Sequence, residues 1–284
     1  MLDLYLSNQI EREKQGLPSQ PLNAEQTASL VELLKKDSAE NSDFLLDLFK
    51  NRVPAGVDQA AFVKAAFLND LAENKAYSPH IDYEHAIELL GTMLGGYNVQ
   101  SLIKLLETDK ANLAVKALSK ITLIFDAFYD VEKLHKDGNI HATNLLNMWA
   151  EAEWFTSKKN IQEALKVIVF KVDGETNTDD LSPAQEAWSR ADIPLHARSM
   201  FLNKIPNIFK IIDELKLKKL PIAFVGDIVG TGSSRKSAIN SLQWHFGQKI
   251  PFVPNKSSGG IILGTKIAPI FFNTAEDSGA LPIE

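Results

Sequence analysis

Through the first part of the chain, apolar residues recur every three or four positions, the period of a helix that buries one face. Between Ala24 and Lys36, the apolar Ala28, Val31 and Leu34 oppose a polar face, and Asn23 with Gln26 three places on reads as a capping box. Phe44 to Phe49 continues the pattern and stops before Pro54-Ala55-Gly56; Asp58 then caps Ala60 to Leu71. Tyr83 to Leu94 and Val99 to Glu107 flank a turn at Gly95-Gly96, and Asn112 to Lys136 and Asn139 to Phe155 are divided by Gly138. Short amphipathic helices joined by short turns predict either stacked helical pairs of the HEAT type or a compact helical bundle. Phe125, Phe128, Tyr129, Trp149, Trp154 and Phe155 are expected in its core.

The pattern changes near Leu165. Val167 to Val172 is β-branched and strand-like, and Ile208 to Leu217 is amphipathic with helical spacing. Pro221 to Val225 reads as a buried strand, Pro251 to Pro254 as an extended segment, and Ile261 to Leu263 with Ala268 to Phe272 as further strand-like runs. Strands mixed with helices predict an α/β layer. The fold class is therefore α + α/β: a helical domain over 1–160, then an α/β domain over 161–284, with the boundary in the polar stretch Thr156 to Asn160.

The densest chemistry lies in Gly226-Asp227-Ile228-Val229-Gly230-Thr231-Gly232-Ser233-Ser234-Arg235-Lys236-Ser237. Between a strand and a helix, such a segment aims backbone N–H groups at a bound carboxylate or phosphate. A serine there also stands where a helix N-terminus can stabilise its alkoxide. The spacing is no Walker A loop, and Arg235 stands where a dinucleotide fingerprint needs its third glycine. The local alternative is a tight turn with Ser233 or Ser234 as N-cap. A second polar cluster, Thr178-Asp179-Asp180-Leu181-Ser182-Pro183 followed by Arg190, reads locally as an Asx-type turn and helix cap.

Composition narrows the partners. The 284 residues are 45% apolar and 23% charged, which fits about two soluble domains. No run approaches the ~18 apolar residues of a membrane span, and Met1 to Tyr5 lacks the basic and apolar regions of a signal peptide. A net charge of −6 gives no general support for nucleic-acid binding. There is no cysteine, so this chain offers no thiol catalysis, disulfide or thiolate-held metal. That suits a reducing cytoplasm. The six histidines lack metal-pair spacing and are expected at the surface or at caps, so no metal ligand is assigned.

Three segments in order resemble the swivel domain of the aconitase superfamily. They are Thr178 to Pro183, Gly230 to Arg235, and Lys266 to Asn273 with Gly279 to Ile283. A helical domain placed before a swivel domain is similar to the bacterial aconitase B branch, as are Leu89 to Asn98, Phe128 to Glu132 and Ala152 to Phe155. The resemblance implies an N-terminal HEAT-like plus swivel portion of a cytoplasmic tricarboxylic acid cycle hydro-lyase, ending inside the swivel domain. That enzyme interconverts citrate and isocitrate through cis-aconitate and also acts on 2-methyl-cis-aconitate. The resemblance makes Ser233 the catalytic base. Arg190, Ser234 and Arg235 would join Ser233 in binding substrate, with Asp179, Ser182, Gly230 and Gly232 supporting. It implies a [4Fe–4S] cluster whose cysteine ligands lie outside this chain, a homodimer through the helical domain, and mRNA binding by a cluster-free form. Two alternatives stand beside it: the small swivel subunit of an isopropylmalate-type isomerase, and a protein- or RNA-interaction module.

Overall fold

The computed structural model describes residues 2–37, 41–152, 156 and 164–284. Trp154, Phe155 and the expected boundary at 160/161 lie outside the described residues. The chain divides into two compact units. Met1–Leu2, Pro21–Ile161 and Phe252–Pro254 form the first; Asp3–Gln20, Gln162–Pro251 and Asn255–Glu284 form the second. The opening helix α1 (Leu2–Lys14), placed with the helical half on sequence, thus falls almost wholly in the second unit. Its buried Arg12 forms a two-pronged ion pair with Asp192, with N–O distances of 2.6 and 3.0 Å.

The first unit is helical: α2 (Ala24–Leu34), α3 (Ser42–Asn51), α4 (Gln59–Ala72), α5 (Tyr83–Leu90), α6 (Val99–Lys104), α7 (Ala111–Leu118), α8 (Ala127–Lys136) and α9 (Ile140–Ala150). Packing passes along the chain from α2 to α4, α5, α7 and α9. Leu30, Leu68, Leu90 and Leu118 are fully buried along it. The Asn23–Gln26 capping box forms, and Asp58 accepts from the Ala60 N–H at 2.7 Å. The helix expected over Asn112 to Lys136 is two helices, α7 and α8. The run Ile121-Thr122 is β-branched and a poor helix former, and Phe125 turns left-handed at φ 45°.

The aromatic core expected here is corrected. Phe125 is 79% and Tyr129 65% exposed, and Phe128 is exposed too. Helix α8 buries Val131, and its aromatic side faces outward. Phe128 instead packs on its neighbours, 5.9 Å from the Tyr129 ring and 6.4 Å from Trp149.

The second unit is built on a parallel sheet in the order β1-β2-β5-β6: β1 (Ile168–Asn177), β2 (Ile222–Thr231), β5 (Ile261–Ile267) and β6 (Leu281–Ile283). A short antiparallel pair, β3 (Gln248–Lys249) and β4 (Ser257–Ser258), lies beside it in sequence. Phe170, Phe224 and Ile262 are in register across β1, β2 and β5. Helices α10 (Thr178–Leu181), α11 (Ile193–His196), α12 (Ile208–Lys216), α13 (Arg235–Phe246) and α14 (Pro269–Asp277) complete the unit. Phe224, Phe201, Ile239, Leu242 and Phe271 fill the core, and the Phe201 and Phe224 rings stack at 6.1 Å.

Two expected extended segments are corrected. Ala268 to Phe272 opens α14, because Pro269 at the first turn suits a helix start. Pro251 to Pro254 is a turn with Phe252 at φ 62°, since the chain must reverse between β3 and β4. Among the described residues no helix is long and apolar enough to cross a membrane.

The surface expectation for histidine also fails at two positions. His196 and His245 are buried. His245 Nε2 lies 2.9 Å from the Ala197 carbonyl. Burial pushes its pKa down to about 4, assisted by the Lys216 charge and opposed by the Ala197 bond. Below the ordinary value of 6.5 the unfolded chain takes up the proton and the folded one does not, so this stability is lost as pH falls from 6.5 towards 4. At about 1.4 kcal/mol per pH unit, His245→Gln should lose about 2 kcal/mol less than wild type between pH 7 and 4.5. Urea unfolding at both pH values tests this; parallel profiles would contradict it.

Candidate functional site

Each of the three chemistry-bearing segments follows the carboxyl end of a neighbouring parallel strand: α10 after β1, α13 after β2 and α14 after β5. Open α/β sheets bind their ligands at that edge. Strand β2 runs on through Thr231, so the glycine-rich turn shrinks to Gly232, Ser233 and Ser234.

The meeting of the segments is close. Gly230 has φ +82°, and a β-carbon on it would stand 2.1 Å from the Phe271 ring. Gly232 has φ +106°, and a β-carbon there would stand 2.3 Å from Thr178 Oγ1. Both positions therefore need glycine for conformation and for space. On the β1 side, Asn177 caps α10 by accepting from the Asp179 and Asp180 N–H groups, each at 2.9 Å. Asp180 in turn pairs with Lys204 at 2.9 Å.

The turn opens α13, a helix of 12 residues. Ser234 holds the N-cap position but makes no side-chain cap bond. Its hydroxyl accepts from Arg190 Nη2 at 2.8 Å instead. The local alternative is thus met by position, with Ser234 as N-cap, while its hydroxyl serves Arg190; the Arg235 N–H donates to the Ser233 carbonyl at 3.0 Å, which leaves the Lys236 and Ser237 N–H groups for an anion. Arg190 is half-buried, and its Nε is buried with no partner among the described residues.

Ser233 is exposed and Arg235 half-buried. Neither side chain has a hydrogen-bond or ion-pair partner among the described residues. Asp179 is exposed, and its carboxylate is likewise unpartnered among them. Ser182 is fully buried. It donates to Ser237 at 2.8 Å, and Ser237 donates to the Ser234 carbonyl at 3.1 Å. The structure thus joins Arg190, Ser182, Gly230, Gly232 and Ser234 to one turn and, among the described residues, leaves Ser233 and Arg235 unpartnered within it and Asp179 unpartnered next to Thr178, which meets Gly232.

Two further residues belong to this assembly: Ser237, inside the glycine-rich segment but given no role on sequence, and His196, which the sequence reading missed. Ser237 carries the link from Ser182. His196 Nε2 lies 2.8 Å from Ser182 Oγ. Burial lowers the His196 pKa, and the Arg190 charge lowers it further, against the raising effect of the Glu186 carbonyl. The sequence signal for His196 was faint: Asp192 and Pro194 mark a helix start, but a four-residue helix has no periodicity to show an inward face.

The family model described as "Aconitate B N-terminal domain" matches residues 4–155, and that described as "Aconitate hydratase 2 N-terminus" matches residues 167–284. The chain belongs to the aconitate hydratase B family. Proteins named aconitate hydratase B from Pseudomonas aeruginosa and Escherichia coli are each 55% identical over 100% of this chain, which covers 34% of their length. The Synechocystis protein of that name is 56% identical over the whole chain and 33% of its own length. The chain thus spans about a third of the aconitate hydratase B relatives it matches. The match over residues 4–155 replaces the reading of a separate small isomerase subunit.

The glycine positions carry a prediction. Gly230→Ala must adopt a left-handed backbone and displace Phe271, at a combined cost of roughly 2–5 kcal/mol. Gly174→Ala, at φ +75° with nothing within 4 Å of its β-carbon, should cost only the backbone part, about 1–2 kcal/mol. Urea denaturation of both variants separates the two terms. Equal losses would show that the Phe271 approach is soft.

Proposed function

We propose that this chain supplies the proton-transfer and carboxylate-binding wall of an aconitate hydratase, which interconverts citrate and isocitrate through cis-aconitate. The observation that carries the proposal is the uncapped start of α13, with Ser234 turned to Arg190 and with Ser233 and Arg235 unpartnered beside it. A tricarboxylate needs several donors of matching geometry, and guanidinium forks meet carboxylates with two parallel N–H bonds. Arg190 and Arg235 are assigned that task, with Ser234 donating to substrate from its fixed place on Arg190.

Ser233 is assigned the base. As an alkoxide it takes the proton from the carbon next to a substrate carboxylate. The carbon–hydrogen electron pair forms the double bond of cis-aconitate as the neighbouring hydroxyl leaves with its bonding pair as hydroxide. In the return direction the Ser233 hydroxyl gives its proton back to carbon. An alkoxide needs strong local stabilisation, which the helix N-terminus, the turn N–H groups and Arg235 are placed along the chain to give. Excluding water strengthens each of these interactions. Asp179 and Ser182 are assigned support of the turn, Ser182 acting through Ser237.

The residues of this chain do not fit an iron–sulfur cluster. It has no cysteine, and the described residues contain no group of three metal-ligating side chains. The steps assigned to this chain are accordingly binding, orientation and proton transfer. For the helical unit, the passage of packing from α2 through α9 supports stacked HEAT-like pairs. The exposed Phe125, Phe128 and Tyr129 support self-association through it.

In an enzyme of the full family length, Ser233→Ala should lower kcat by ~10² to 10⁴-fold with a small change in KM, as for a lost proton-transfer group. Arg235→Lys should instead raise KM for citrate and lower kcat together, because an ammonium cannot supply the planar fork. Steady-state kinetics with citrate and with isocitrate measure both. Near-normal turnover in Ser233→Ala would remove the base assignment.

A further inference from the structure

The helical unit carries a cleft of its own, about 310 Å³ in volume, lined from α3, α5 and α7. Three lysines line it: Lys50 from the last turn of α3, Lys116 from the last turn of α7, and Lys120 just beyond that helix. None of the three makes an ion pair or a side-chain hydrogen bond among the described residues. The carboxylate in the lining is Glu88, itself unpartnered among the described residues. The cleft is therefore positive, in a chain whose net charge is −6. Its charge is felt behind it: burial, and after burial the Lys50 charge, pushes the Lys64 pKa down to about 7. Helix C-termini attract lysines, which accounts for Lys50 and Lys116. It accounts neither for Lys120 nor for the apolar part of the lining. That part is Leu89, Leu113 and the half-buried Phe252, which stands at φ 62° and belongs to the first unit. A bulky residue is held left-handed only at a cost, and such strain collects at ligand sites.

We propose that this cleft binds a nucleoside polyphosphate, with Lys50, Lys116 and Lys120 on the phosphates and Phe252 against the base. Three ammonium groups call for an anion that carries several charges close together. A purely ionic ligand would leave the phenylalanine and the leucines in water; a purely apolar one would leave the lysines unmatched. A nucleotide has both parts. Its base offers a π-face to an aromatic ring, and the N–H groups on the base edge suit the acceptor-only Glu88 carboxylate. The volume lies at the low end for ligand clefts and suits one small molecule. Citrate has the charge but no planar face. Nothing in this assignment depends on the reaction proposed above.

The test titrates the whole chain with ATP, inorganic tripolyphosphate, adenosine and citrate at low salt, by calorimetry and by NMR of the amides around Lys50, Glu88, Lys116 and Phe252. ATP should bind about tenfold more tightly than tripolyphosphate, the worth of one stacked base, with citrate and adenosine weaker than either. Lys116 and Lys120 are exposed, so Lys116→Gln with Lys120→Gln keeps the fold. That pair should weaken ATP and tripolyphosphate alike, each about tenfold. Phe252→Ala should weaken ATP about tenfold yet leave tripolyphosphate within about twofold, and Phe252→Trp should restore ATP. No ATP binding up to about 10 mM overturns the proposal. Equal affinity for ATP, tripolyphosphate and citrate reduces the cleft to a charged surface and overturns it as well, even if Phe252→Ala fails to fold. A single-stranded oligonucleotide that shifts these amides where ATP does not would assign the lysines to a polymer, and the proposal would fall.

Discussion

The turn at the end of β2 depends on two β-carbons that are not there. Phe271 and Thr178 come so near the backbone at Gly230 and Gly232 that any side chain would overlap them. Both residues also sit at positive φ, which other residues adopt only at a cost. Because the two glycines accept that approach, the ends of β1, β2 and β5 can deliver their helices to one edge. Three segments far apart in the chain thereby become neighbours of a single helix N-terminus.

What the edge can do follows from where its hydrogen bonds go. Ser234 could close α13 in the ordinary way, with its hydroxyl on a backbone N–H. It is drawn to Arg190 instead, and behind it Ser182 and Ser237 hold its carbonyl. The turn is thus braced from two sides by side chains that are themselves buried or half-buried. The bracing leaves the Ser233 and Arg235 side chains without partners among the described residues. Rigid support under an unsatisfied front is the arrangement that electrostatic catalysis needs, since donors set in place beforehand cost no reorganisation when charge develops.

Much of this was legible in the sequence because it is local. The Asn23–Gln26 box and the Asp58 cap act within a few residues, and the helical spacing of α2 and α4 repeats often enough to be read. The glycine-rich segment announced itself by residue type, and the order of three short motifs named the swivel-like domain. What escaped was set by contacts distant in sequence. Arg12 finds Asp192 180 residues away, so α1 joins the second unit although its own periodicity says only that it is a helix. His196 is buried by its surroundings, with no pattern of its own. Phe125, Phe128 and Tyr129 look like core in composition, yet a break before α8 turns them outward. Ala268 to Phe272 is apolar enough for a strand, and the proline decides for a helix.

The central claim is that the start of α13, with Arg190 behind it, is a built site for carboxylates. The most direct measurement is an NMR titration of this chain with citrate, following the backbone amides from Ser233 to Ser237 and the Arg190 Nε–H. The account predicts shifts confined to these groups, with weak affinity on the order of millimolar because one open wall leaves the arginines solvated. It predicts their disappearance in Arg190→Gln. Shifts that spread elsewhere, or that persist unchanged in Arg190→Gln, would contradict it.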